Sequence, residues 1–317
     1  MDIGIIFGQM LVLLAMMLTG AFVYKKKWLG EEGSANISKL VVNVFNPLLV
    51  ISGVLGDTDA ISQDKIIGNL QLVVLYYIIA IVFGIVLAWV LHPPKNLKSI
   101  YVLMATFSNL GFMGIPVARS LYGSEGVVYV AFYILLYNVL VYTYGMALAR
   151  RAAREKNGMD SAEKASLLVS LKRMINPGVV AALLALIIFA TGIRMPAPVV
   201  SLCGYMGDTT IPLSMMMIGI SIAKADLRSY LKDLRMYAFI ILRMVAMPVA
   251  VALIMRNIGY DQVVFGVFII ELAMPIGSVI GLFAKECGAD DAYCMKGTVL
   301  STLASIVTIP LVGLFLQ

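Results

Sequence analysis

The sequence predicts an all-α integral membrane protein of ten transmembrane helices, arranged as two inverted five-helix repeats whose fourth and ninth helices are broken. Three observations carry this. Of 317 residues, 61% are hydrophobic and 13% charged, with a mean hydropathy of +0.94, whereas a soluble domain has roughly 25% charged residues. Apolar runs of the length that crosses a bilayer, about 17–25 residues, recur along the whole chain. Landmarks in the first half also return in the second at a constant shift of 165 residues.

Taken in order, the runs fall at roughly 3–24, 36–56, 66–91, 97–122, 125–149, 175–193, 197–223, 233–256, 260–284 and 292–316. The first begins at once after Met1-Asp2, with no basic start and no small-residue cleavage site, and is expected to be a retained span. Charge orients the set. Only Lys65, Arg119, Arg194 and Arg256 fall in loops on one side and Arg243 within a span; the rest of the 24 Lys and Arg fall on the other side. By the positive-inside rule both termini are expected outside, in the cell membrane, with the central loop in the cytoplasm. That loop, within 150–174, divides a first repeat (1–149) from a second (175–317). Five spans per half is an odd number, so the halves enter the membrane in opposite directions.

The shift of 165 places Pro47 (in Phe45-Asn46-Pro47-Leu48) on Pro212 (in Thr210-Ile211-Pro212-Leu213), and Gly123 on Gly288. It also places Asn109-Leu110 on Met274-Pro275, and Pro116 on Gly281. Two of these regions interrupt a span. In Ser108-Asn109-Leu110-Gly111-Phe112-Met113-Gly114-Ile115-Pro116 the glycines weaken helical order and the proline removes a donor. The second break runs from Glu271 through Met274, Pro275 and Gly277 to Gly281. In lipid each freed backbone group costs several kcal/mol unless protein or water satisfies it. Paired interruptions at matching places are the sequence pointer to a transporter binding site.

Polar groups at membrane depth narrow the candidates. Arg243 and Glu271 lie near the middle of their spans. They are read either as a buried pair, or as a charge partner for an anionic substrate and a coupling site. Asn109, a donor and acceptor next to the freed backbone of Gly111, is the foremost candidate for substrate contact. Asn43, Asn46 and Asp208 either satisfy backbone opened by Pro47 and Pro212 or line the cavity. Asn138 is read equally as glue between helices. Half-helix N-termini aimed at the midplane favour a carboxylate or other small anion, and Met215-Met216-Met217 offers an adaptable apolar wall.

Enzymatic chemistry is not expected. Cys203, Cys287 and Cys294 lack metal-ligand spacing, His92 stands alone beside Pro93-Pro94, and no nucleotide-binding glycine loop follows a strand. No cofactor, metal or nucleic acid is expected; the net charge of +6 suits basic loops on an anionic leaflet.

The motif Asn109-x-Gly111-x-x-Gly114-x-Pro116, the Asn46-Pro47-Leu48 element and the break at Pro275 together resemble the auxin efflux carrier (PIN-like) family of permeases, over essentially the whole chain. That family shares a fold with the bile-acid/sodium symporters. The resemblance implies a scaffold from spans 1, 2, 6 and 7 and a transport domain from spans 3–5 and 8–10. Spans four and nine would cross at their breaks, and substrate would bind there and be carried by elevator-like movement. It places Asn109 against substrate and puts Met274 where the plant carriers are more polar, so small carboxylates such as malonate or malate join auxin-like acids as expected substrates. A homodimer through the scaffold is implied, and coupling to a proton or sodium ion stays open, as does the alternative of a membrane sensor.

Overall fold

A computed structural model describes residues 3–55, 62–157, 176–225 and 232–316. The cytoplasmic linker expected at 150–174 lies mostly outside these residues, beyond the helix that ends at Asn157. The helices are α1 (Ile3–Lys25), α2 (Glu31–Leu40), α3 (Asn46–Leu55), α4 (Gln63–Val90), α5 (Lys98–Thr106), α6 (Ile115–Leu140), α7 (Met146–Asn157) and α8 (Pro177–Thr191). They continue as α9 (Ala197–Asp208), α10 (Thr210–Lys224), α11 (Leu234–Ile241), α12 (Met247–Met255), α13 (Gln262–Ala273), α14 (Val279–Cys287) and α15 (Asp291–Gly313). Among the described residues the only extended pairing is an isolated antiparallel bridge between Ser108 and Ile276.

Among the described residues, seven helical stretches are long and apolar enough to cross a membrane, and α8 and α13 are shorter apolar helices. One stretch, Leu110–Lys156, has 47 residues. At 1.5 Å per residue this would extend about 70 Å, more than twice a hydrocarbon core. Gly123 resolves the excess. Its φ of 64° is a left-handed conformation that turns the chain within α6, and only glycine adopts it without strain.

The prolines leave a regular mark. Val41–Phe45, Leu110–Gly114 and Leu242–Ala246 are widened π turns, and Pro47, Pro116 and Pro248 stand two residues beyond their ends. Proline has no N–H for the carbonyl four residues back and its ring crowds that carbonyl, so the ladder opens there. A fourth π turn, Val141–Gly145, has no such proline; around it Asn138 and Thr143 donate side-chain hydrogen bonds to the carbonyls of Ile134 and Val139.

Packing relies on small residues where backbones touch. A Cβ on Gly20 of α1 would strike the backbone of Met216 on α10, and one on Gly219 of α10 would strike the backbone of Met17 on α1. Among the described residues the buried apolar side chains gather into two cores. One gathers Leu49, Leu110, Met113, Val264 and Met274, the other Leu103, Phe107, Met244, Ile276 and Ile280. The core changes between Phe107 and Leu110, and again between Met274 and Ile276. Both chain breaks therefore lie on the seam between the cores.

Candidate functional site

The two interruptions meet. Beyond α5, Phe107 and Asn109 leave helical geometry with ψ of 101° and 63°; beyond α13, Met274 does so with ψ of 145°. The Asn109 amide donates to the Pro275 carbonyl (2.8 Å), the Gly277 amide to the Phe107 carbonyl (2.9 Å), and the Ile276 amide to Ser301 Oγ (3.0 Å). Backbone groups released by the breaks thus find protein partners, as burial in an apolar medium demands. A Cβ on Gly277 would lie 2.9 Å from the Ser108 carbonyl oxygen, so the close approach requires glycine.

Four expected break residues need correction in place. The first break lies at 107–109, before Gly111, Gly114 and Pro116; Gly111 and Gly114 sit inside a π turn. Pro116 follows that turn two residues beyond Gly114, where its missing N–H widens the first turns of a helix that continues into α6, so it does not end one. Gly281 lies within α14, packed toward Met295. Pro275 lies between α13 and α14, and its carbonyl accepts from the Asn109 amide.

Behind the meeting point are the carbonyl ends of α5 and α13. The Arg243 side chain, wholly buried, fills the space between them. Its Nη1 donates to the carbonyls of Leu272 (3.1 Å) and Met274 (2.6 Å), its Nε to the Ala105 carbonyl (3.3 Å), and its Nη2 to Ser108 Oγ. Tyr76 Oη is 2.5 Å from the same hydroxyl. The pairing of Arg243 with Glu271, one of the two expectations for these residues, is not formed: neither carboxylate oxygen of Glu271 has a hydrogen-bond partner. Helix-end carbonyls, which lack partners within their own helices, outcompete the carboxylate for the guanidinium. Glu271 is wholly buried instead against Gly114, where an added Cβ would lie 2.8 Å from Oε1.

In front are the amide ends. Asn109 caps the turn that leads into α6, its Oδ1 accepting from the Phe112 amide (3.3 Å), and Ser278 is the residue before α14. Both line a cavity of about 150 Å³. Ser38, Ser221, Thr298 and Thr302 add hydroxyls to its wall, and Phe112, Met217, Ile218, Ile222, Met295 and Val299 supply the apolar part.

Of the residues expected to touch substrate, Asn109 alone is on that wall. Gly111 lies just behind it, 3.5 Å in Cβ position from Asn46 Nδ2, and Asn46 Oδ1 is buried without a partner. Met274, Pro275 and Gly277 contribute backbone to the junction, and Arg243 is enclosed behind it. Asn43 is exposed and donates to the Lys39 carbonyl (2.8 Å), which serves the backbone of the π turn. Asp208 pairs with Arg119 across α9 and α6 (2.8 Å). Asn138 accepts from Asn176 (2.7 Å), joining α6 to the start of α8. Sequence reasoning missed Ser278, Thr298 and Thr302. The last two are four apart on α15, a spacing that puts them on one face.

An all-helical, multiply spanning chain whose broken segments meet beside a small mixed-polarity cavity has the make-up of a transport protein. The chain belongs to the membrane transport protein family, the auxin efflux carrier-like permeases, whose sequence profile matches residues 5–312. It is 25% identical over 311 residues to an uncharacterized transporter of Methanothermobacter thermautotrophicus, covering 95% of each chain. To an uncharacterized transporter of Methanocaldococcus jannaschii it is 22% identical over 317 residues, covering 96% of each. The family is one of membrane transporters and not of enzymes.

Proposed function

We propose that this chain is a secondary transporter of small organic anions, carboxylates above all, working by elevator-type alternating access. The observation that carries the substrate class is the pair of helix starts at the cavity, Asn109 and Ser278. Each helix N-terminus carries about half a positive charge and amides without partners in the helix, so together they favour about one negative charge. The apolar remainder of the wall suits a small hydrocarbon body.

Support for two inverted five-helix repeats comes from backbone landmarks. Left-handed φ values recur at Lys27 and Gly192, and at Gly123 and Gly288, each pair 165 residues apart. The π turn at Val41–Phe45 maps onto the α9–α10 junction, and α5 onto the centre of α13, at the same shift. In this reading α1–α3 and α8–α10 form the scaffold, and the other helices carry the substrate past it. The Arg119–Asp208 pair would join the moving part to the fixed part. With both termini outside, Ser38 and Ser221 lie toward the cytoplasmic end of the cavity.

Coupling to a proton is favoured by one observation, the two unpartnered oxygens of Glu271 beside the junction. Flux of radiolabelled malonate, malate and indole acetate into proteoliposomes tests the whole reading, with and without a pH gradient. Saturable uptake of at least one acid is expected, and its gradient dependence should disappear in Glu271→Gln. No uptake of any acid, with neutral solutes transported instead, would overturn the substrate class.

A further inference from the structure

We propose that Arg243 is a tethered counter-ion that permanently occupies the cation site formed by the two helix breaks, so that transport needs no sodium ion. The coupling consequence rests on the transport reading above; the occupancy of the site does not. Breaking a helix at membrane depth leaves carbonyls at the end of its first half, and such ends are where discontinuous helices coordinate sodium ions. Here the oxygens of Ala105, Leu272, Met274 and Ser108 converge, and all of them bind the Arg243 guanidinium.

Charge balance supports the assignment. The C-termini of α5 and α13 each carry about half a negative charge, roughly one in total. A guanidinium supplies one positive charge and does not lose its proton in a protein. It meets both the electrostatic and the hydrogen-bonding demand of the site, and the side chain is wholly enclosed. Glu271, the other charged side chain buried in this region, takes no hydrogen bond from the guanidinium, since neither of its oxygens has a partner. A sodium ion at the same oxygens would collide with the guanidinium. Unlike an ion, a side chain stays in place through the transport cycle and cannot be released with substrate.

The test is thermal unfolding of purified wild type, Arg243→Ala and Arg243→Lys at constant ionic strength. Sodium is compared with N-methylglucamine, and methylguanidinium is added at millimolar concentration. Wild type and Arg243→Lys, which keep a tethered charge, should unfold at the same temperature in both salts. Arg243→Ala should be less stable and should regain about 3 °C or more with sodium or methylguanidinium, as a ligand of the folded state requires. Sodium stabilisation of wild type would overturn the proposal, as would a folded Arg243→Ala indifferent to both cations. If Arg243→Ala does not fold, methylguanidinium present during purification should recover folded protein; failure there also counts against the proposal. A transport failure in proteoliposomes, with these unfolding results intact, would count against the transport reading alone.

Discussion

On one side of the paired breaks, the carbonyl ends of α5 and α13 close on Arg243, which is buried and donates to four oxygens. On the other side, the amide ends capped by Asn109 and preceded by Ser278 border a cavity of about 150 Å³. Both sides come from the same interruptions, and helix polarity gives them opposite partial charge. The negative side is met by a fixed residue of the chain; the positive side is left facing space. A broken helix in a membrane has two kinds of end to satisfy; here one is met by a side chain of the chain itself, and the other borders a cavity, where the proposed function places the ligand.

The comparison breaks first at Arg243. Arg243→Met in a sodium-free buffer leaves main-chain acceptors buried without a donor and is expected to lower stability by about 3–5 kcal/mol, the scale for removing one partner of a buried charged network, read by denaturant unfolding. Since Arg243 and Glu271 are not paired, Glu271→Gln should not rescue it, and the double variant should show no favourable coupling in a mutant cycle. Next is Gly114→Leu, whose side chain would enter the space of the Glu271 carboxyl. A loss of about 1–3 kcal/mol is expected from overpacking. Gly111→Ala, with only Asn46 Nδ2 at 3.5 Å, should be milder than Gly114→Ala in the same assay.

Smaller effects sharpen the account. Asn109→Ala removes a cap worth about 1 kcal/mol and should leave a folded protein whose carboxylate uptake is lost. The smallest lies away from the breaks, at Asp233. Burial pushes its carboxyl upward, but donors from Lys296 (2.8 Å), Met236 and Tyr293 outweigh this and hold it below the usual carboxylate range. A group depressed in the folded state adds stability above its unfolded pKa and loses it as pH falls through the folded one. Asp233→Asn should therefore lower stability slightly at neutral pH, by less than about 1 kcal/mol, seen as a small drop in melting temperature, and the difference from wild type should vanish in acid.

How much of this was legible in the sequence follows from what each signal reports. The helical, multiply spanning class was readable because composition and apolar run length reflect solvent directly, without tertiary context. The meeting of the breaks was foreshadowed by Pro275 and by the glycines near Asn109, but the first break was displaced to Phe107–Asn109 because the helix widens ahead of Pro116 and does not end there. Arg243 and Glu271 stood out as charges in apolar spans, yet their partners did not, since carbonyl oxygens carry no residue code and compete with carboxylates unseen. Ser278, Thr298 and Thr302 were invisible for a related reason. Hydroxyls are common in membrane helices, and only assembled packing tells which of them face a cavity.

In the proposed function an anion binds at the helix starts that follow Asn109 and Ser278. A thermal-shift titration of the purified wild type and Asn109→Ala with malonate, malate, indole acetate and neutral isosteres tests it most directly, because a ligand of the folded state raises its unfolding temperature by mass action. A rise with at least one carboxylate, saturable in wild type and at least tenfold weaker in apparent affinity for Asn109→Ala, is the predicted result. Stabilisation by neutral solutes or cations alone, or a carboxylate response unchanged by Asn109→Ala, would contradict it.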